Sequence, residues 1–456
     1  MSTAFREGLR GARAVVVGLG ASGVAAARLL LRAGAKVTAN DALPRERLSA
    51  DALSLEADGA ALALGGHDGA GIEAAQLVVV SPGVPRFDAL DEAARRGAEV
   101  IGELELATRL LPHVPSIAIT GSNGKSTTTT LVGELLGAAG KRPFVGGNLG
   151  SPPSDLALTG DRCPFDVLVL EVSSYQAERM PRFRPKSAAL LNASPNHLDR
   201  YDGYDDYVKA KGNLFVNQRS DDIAVIPAND ATIEQQARRG QAVIVRFGVP
   251  TDADARFVRS PTEIADRATG ATWRRDEIRV RGEHNAMNVC AALALVSPFG
   301  VHPDVARAVL AEFRGLPHRI AFIRTIDGVS YYDDSKGTNV GASVAAIRGL
   351  SEARVVLIAG GRDKLGAYDP LVDALRERGR GAVLIGEAAD RIQSAIGDAC
   401  PTTRASSMEE AVHRARELAQ SGDAVLLSPA CSSFDMFRDY KHRGDAFVEV
   451  VNALVV

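Results

Sequence analysis

Short runs rich in valine, isoleucine and leucine recur along this chain, at 14–17, 77–80, 117–119, 167–170, 188–191, 355–358, 383–385 and 425–427. They leave few folds open to it. Apolar runs of this length, without polar alternation, read as strands buried on both faces. Between many of them lie amphipathic segments rich in alanine and leucine, at 23–33, 128–139, 342–349 and 408–419. These are long enough to be crossover helices joining parallel strands. The alternation predicts an α/β protein with mainly parallel sheets. At 456 residues the chain is too long for one core, and a prior of about 150 residues per domain predicts three.

Two breaks divide the pattern. A helical segment runs through Pro112 and Pro115 into the next strand, which sets a boundary near residue 103. The second break follows a helix at 302–313, at Gly315-Leu316-Pro317. The expected domains are 1–103, 104–315 and 316–456. Between 255 and 281 polar and apolar residues alternate around Trp273, predicting a small antiparallel addition to the middle domain.

A formal net charge of −3 gives no basic excess to meet a phosphate backbone or an anionic membrane, so neither nucleic acid nor membrane is an expected partner. No apolar run approaches the ~20 residues of a membrane span, and the first residues lack a secretory signal. Cys163, Cys290, Cys400 and Cys431 are scattered without metal or redox spacing. A cytoplasmic protein with reduced thiols is expected.

Two glycine-rich turns sit where strands give way to helices. At 117–119 a strand ends, Thr120-Gly121-Ser122-Asn123-Gly124 follow, and Lys125-Ser126-Thr127 open a helix. Glycines let backbone N–H groups approach an anion, and the helix N-terminus adds favourable dipole charge. Lys125 is placed to reach the β- and γ-phosphates of a nucleotide, and the Ser126 hydroxyl to ligate magnesium. The general phosphate-loop spacing asks for glycine at 119, where Ile119 stands, so the generic motif fails. The other turn, Gly18-Leu19-Gly20-Ala21-Ser22-Gly23, follows the strand at 14–17, and Asp41 ends the next strand. Alone, it reads as a dinucleotide fingerprint and suggests a nicotinamide-dependent oxidoreductase.

Other residues carry chemistry less openly. Glu171 ends an apolar strand, a poor place for a core carboxylate. His197 follows the strand at 188–191, although a lone histidine is more often structural. Asn285 and Asn288, three apart, share one face of a helix.

The ordered set of motifs resembles the Mur ligases and their folylpolyglutamate synthase relatives over nearly the whole chain. It comprises GLGASG (18–23), SPGVP (81–85), TGSNGKST (120–127), GGNLG (146–150), LEVSS (170–174), NHLDR (196–200), YVKAK (207–211), EHNAMN (283–288), LPHR (316–319), DDSKGTN (333–339), GGRDK (360–364) and LSPACSSFDMFRDY (427–440). The resemblance implies Rossmann-like first and third domains around a central P-loop ATPase-like domain. It implies an enzyme that phosphorylates a substrate carboxylate with ATP, giving an acyl phosphate that an amino acid's amine attacks. The implied substrates are UDP-N-acetylmuramoyl-L-alanine and D-glutamate, and the expected state is a monomer. No Asp-Asn-Pro-Arg run of the diaminopimelate-adding members is present.

Site roles follow from the resemblance, position by position. Lys125, Glu171, His197 and Lys211 form the catalytic set. Ser126, Glu171, His197 and a carbamylated Lys211 hold two magnesium ions. ATP meets Gly121, Ser122, Asn123, Gly124, Lys125, Ser126, Thr127, Asn285, Asn288, Arg319 and Asp334. The UDP-sugar meets Gly18, Gly20, Ser22, Gly23, Asp41, Asn148 and His197, although the family's frequent hydroxyl–arginine pair after the aspartate is here Ala42-Leu43. Glutamate meets Lys336, Thr338, Lys364, Ser433, Phe434 and Tyr440, the last standing where phenylalanine is frequent. Three alternatives remain: ligation of L-glutamate or by another Mur or folylpolyglutamate type of enzyme, the oxidoreductase, and a non-enzymatic nucleotide-binding module.

Overall fold

A computed structural model describes residues 2–111, 114–158, 163–194, 201, 203–363 and 368–455. His197 and Lys364 lie outside the described residues. The strands form three sheets in chain order. The first holds five parallel strands, ordered Ala61–Leu64, Lys36–Asp41, Arg13–Val17, Leu77–Val80, Glu99–Gly102. The central pair, Arg13–Val17 and Leu77–Val80, is buried along nearly its whole length, which is why valine fills it.

The second sheet has nine strands. Its core order is Val243–Gly248, Ile223–Pro227, Ser187–Leu190, Ser116–Thr120, Val167–Glu171, Pro143–Gly147, all parallel. Phe257–Arg259 joins in parallel beside Val243–Gly248, and Glu263–Asp266 and Ala271–Arg274 continue antiparallel from there. The expected antiparallel addition is thus the edge of the same sheet rather than a separate one. Trp273 anchors it, 4% exposed, with its indole N–H donating to the carbonyl of Pro303.

In the third sheet the order is Ala321–Ile326, Val329–Asp333, Ala424–Leu427, Val355–Gly360, Gly379–Ile385, Thr402–Arg404. Only the first pair is antiparallel. The fold is α/β with mainly parallel sheets, as the alternation predicts. Among the described residues no helix is long and apolar enough to cross a membrane.

The helix Glu103–Leu110 follows directly on the last strand of the first sheet and packs on Pro153–Ala157. Its first residue, Glu103, is buried and accepts the Ser154 backbone N–H at 2.7 Å. Burial pushes its carboxyl up to about 7, against the pull of Ser154.

Candidate active site

The strand Ser116–Thr120 is fully buried and ends in the turn at 121–124, from which the helix Lys125–Ala138 starts. Gly124, the helix N-cap, has φ +82°. A Cβ there would lie 2.3 Å from Asn288 Oδ1, so only glycine fits both the backbone and the neighbouring helix Glu283–Val296. The turn is held from the next strand: Asn123 N–H donates to Asn192 Oδ1 at 2.9 Å, and Ser194 N–H donates to Ser122 Oγ, also at 2.9 Å.

Two ammonium groups converge on the turn. Lys125 Nζ donates to the carbonyls of Gly121 (2.7 Å) and Ser122 (3.0 Å), and Lys211 Nζ donates to the same Gly121 carbonyl at 3.0 Å. Lys211 is 2% exposed and lies over the Tyr207 ring. Burial pushes Lys125 down to about 8, an effect that Glu171 opposes and that Arg319 and Lys336 reinforce. Burial, with Lys125 close by, drives Lys211 well below the usual lysine range.

Ser126 is fully buried and collects cations from the third domain. Arg319 Nη2 donates to its Oγ at 3.0 Å, and Lys336 Nζ lies 3.5 Å away. Burial, with Arg319 nearby, lowers Lys336 to about 8, and its ammonium sits over the Tyr440 ring at 5.2 Å. The counter-charge is Glu171, 2% exposed. Burial alone would raise its carboxyl, but Lys125 and hydrogen bonds bring it below the usual range. Its Oε1 accepts from Asn148 Nδ2 at 2.7 Å, while Oε2 is buried without a hydrogen-bond partner among the described residues. The Glu171 carboxylate and the Ser126 hydroxyl beside it are oxygen donors of the kind magnesium takes. Among the described residues no cluster of three or more His, Cys, Asp or Glu side chains accompanies it.

A cavity of about 420 Å³ opens beside this centre, bounded by Thr127 and Asn285 on one side and Arg319 on the other. Asn285 Nδ2 donates to the Arg281 carbonyl at 2.8 Å, and Asn288 Nδ2 to Asn285 Oδ1 at 3.3 Å, so the two asparagines act as one unit. Asp334 is 6% exposed; burial pushes it up to about 7 although Ser428 Oγ donates to it at 2.6 Å.

The remaining expected residues are less concentrated. Asn148, expected at the UDP-sugar, spends its amide on Glu171. Ser433 is buried, Thr338 is half-buried in the turn after Lys336, and Phe434 is 66% exposed. In the first sheet, Gly18, Gly20, Ser22 and Gly23 form the turn after Arg13–Val17. A Cβ on Gly23 would lie 1.8 Å from the Gly18 carbonyl oxygen. Asp41 Oδ2 accepts Leu19 N–H (2.7 Å) and Oδ1 accepts Leu43 N–H (2.9 Å).

The sequence reading passes over several residues that shape the site. Tyr207 hydrogen-bonds Ser122 Oγ at 3.0 Å; its spacing of four from Lys211 on one helix was the available signal. Arg281, Phe322 and Tyr332 line the cavity, and no motif marks them. Arg443 is fully buried, with Nε donating to Ser335 Oγ (3.0 Å), Nη2 to Ser335 O (2.7 Å) and Nη1 to Cys431 O (3.3 Å). It ties the loop before Lys336 to the loop before Ser433, and burial pushes it down to about 10.

A glycine-rich strand-to-helix turn in a parallel sheet, its serine gripped by cations from the next domain, fits the class of nucleotide-dependent enzymes that transfer phosphoryl groups. Family comparison narrows that class: residues 12–102 match the Mur ligase MurD-like N-terminal domain, 119–296 the Mur ligase middle domain, and 318–431 the Mur ligase glutamate ligase domain. The chain belongs to the Mur ligase family, and its activity is an ATP-dependent ligation that forms a carbon–nitrogen bond. Among its relatives, the UDP-N-acetylmuramoylalanine--D-glutamate ligase of Geotalea daltonii is 43% identical, covering 98% of each chain. That of Myxococcus xanthus is also 43% identical, over 98% of this chain and 99% of its own. The fold is shared with UDP-N-acetylmuramate-alanine ligase MurC from Thermotoga maritima (20% identity, TM-score 0.57, 97% and 99% covered). It is also shared with T. maritima MurF solved in complex with ADP (19%, 0.60, 82% and 93%).

Proposed function

We propose that this chain joins D-glutamate to UDP-N-acetylmuramoyl-L-alanine, using ATP and passing through an acyl phosphate, in peptidoglycan precursor synthesis. The observation that carries this reading is the convergence on Ser126 of the phosphate loop, the Glu171 carboxylate, and Arg319 and Lys336 from the third domain. The full-length relatives supply the substrate identity. Residues 1–103 hold the UDP-sugar, 104–315 the ATP and 316–456 the glutamate. The chain acts as a cytoplasmic monomer.

Phosphoryl transfer asks for positioning and charge neutralisation more than covalent help. Lys125 leaves the carbonyls of Gly121 and Ser122 and swings to the β/γ-phosphate bridge. Asn192 holds the N–H groups of Ser122 and Asn123, so the phosphates meet the N–H groups that open the helix, from Gly124 to Ser126. Arg319 exchanges Ser126 Oγ for a phosphate oxygen, and Asn285, Asn288 and Asp334 hold the nucleoside. Lys336, Thr338, Lys364, Ser433, Phe434 and Tyr440 receive the amino acid, whose two carboxylates demand cations and hydroxyls. The turn at 18–23, with Asp41, holds the UDP part, and Asn148 positions Glu171. Domain contact at Ser126 keeps water from the acyl phosphate.

Ser126 and Glu171 fit magnesium, and His197 with a carbamylated Lys211 completes the set for two ions. When bound, the metal neutralises charge developing on the transferred phosphoryl group. Lys211 carbamylation rests on the resemblance, and a mass shift of one carbamate that disappears in Lys211→Ala checks it. The function as a whole is tested by phosphate release. Release is expected only with ATP, UDP-N-acetylmuramoyl-L-alanine and D-glutamate all present. Equal release without the amino acid, or with L-glutamate in its place, sinks the reading.

A further inference from the structure

The carboxyl ends of the first sheet's strands form the edge where open α/β sheets bind ligands, and one side chain there has no part in the function described so far. We propose that His67 reads the pyrimidine base of the nucleotide substrate and selects uracil over cytosine. This deepens, and rests on, the assignment of the UDP part to the first domain.

The two residues after Asp41 add no side chain that reads the base, so beside Asp41 itself the polar edge of the base depends on the neighbouring loops. Ala42 and Leu43 are exposed and offer no polar side chain, and each Asp41 oxygen already accepts a backbone N–H of the surrounding loops. His67 lies in the loop after the neighbouring strand Ala61–Leu64, partly exposed, and two restraints fix its ring. Its face stacks on Phe87 at 4.2 Å between centroids and 11° between planes. Phe87 comes from the loop after Leu77–Val80, so the stack bridges over the ends of Lys36–Asp41 and Arg13–Val17, the two strands that lie between those loops. Its Nδ1 lies 2.7 Å from Oδ1 of Asn40.

Asn40 decides the tautomer. It is fully buried, and its Nδ2 donates to the carbonyls of Ala63 (2.8 Å) and Gly66 (2.7 Å), which uses both amide protons. Oδ1 is therefore the atom facing His67 and acts as an acceptor, so the ring proton sits on Nδ1. In the neutral ring Nε2 is then a lone-pair acceptor, held in a fixed direction, and no described residue donates to it. Uracil presents an N3–H donor at its reading edge; cytosine presents a lone pair at N3. An oriented acceptor takes the first and repels the second, leaving two acceptors unpaired.

The test measures dissociation constants of UDP and CDP for the full chain by calorimetry, with ADP present to fill the phosphate loop. The wild type is expected to favour UDP by roughly tenfold or more, the effect of one hydrogen bond lost with its partner left unpaired. His67→Phe keeps the stack on Phe87 and removes both ring nitrogens. It is expected to bring the two constants within about twofold through weaker UDP binding, with ADP affinity unchanged. His67→Ala is expected to do the same. A wild-type preference that survives in both variants overturns the assignment of His67 alone, as does a wild type with no preference. A wild type that binds neither nucleotide overturns the assignment of the first domain as well.

Discussion

Two turns in this molecule are glycine-rich, follow a buried parallel strand and open a helix, yet the charge gathered around them differs sharply. The turn at 18–23 is almost uncharged: Gly23 lets the helix close on the Gly18 carbonyl, and Asp41 turns its oxygens to backbone N–H groups. The turn at 121–124 is crowded by Lys125, Lys211, Arg319 and Lys336 against the single carboxylate of Glu171. A site that only holds a diphosphate works with backbone donors and shape. On the proposed function the second turn moves a phosphoryl group and gathers cations for the transition state, while burial first and neighbouring cations second depress Lys125, Lys211 and Lys336.

The largest test removes charge from the second turn only. Lys125→Ala is expected to lower kcat by on the order of 10³-fold while leaving UDP-substrate affinity unchanged, checked by phosphate release and calorimetry. Equal losses in both quantities would merge the two sites into one. Glu171→Gln sharpens the contrast by removing the counter-charge. A fall of about 10²-fold in kcat is expected, with more magnesium needed for half-maximal rate. Gly23→Val acts on the other turn: a KM for the UDP-substrate raised roughly tenfold with the KM for ATP unchanged, and melting lowered by several degrees.

The smallest effect belongs to the joint between the two regions. Glu103 has a native pKa of about 7 against an ordinary 4.5, so between those values the folded chain binds a proton that the unfolded chain has released. Its stabilising effect is complete below about 4.5 and is lost as pH rises to about 7. Glu103→Gln is expected to flatten that decline and raise melting at pH 8 by a few degrees.

The strand at 77–80 and the helix opening at Lys125 were legible because burial on both faces, glycine and the lysine–serine pair leave one physical solution each. The strands Ala61–Leu64, Pro143–Gly147 and Thr402–Arg404 were not, since they are short, carry partly exposed faces and borrow their pairing from neighbours. Arg319 and Lys336 are placed near nucleotide and glutamate by motif, but their meeting at Ser126 is a property of domain contact across 193 and 210 residues of sequence. Asn148 is a second case: its motif places it at the UDP-sugar, and nothing in the sequence shows that one of its amide N–H groups donates to Glu171.

Gly124 and Asn288 have a consequence for which substitutions the phosphate turn can accept. The asparagine occupies the space that any side chain at 124 would need, and the backbone there is left-handed as well. Position 124 is therefore locked twice: shortening Asn288 removes the steric objection to a larger residue there but leaves the conformational one.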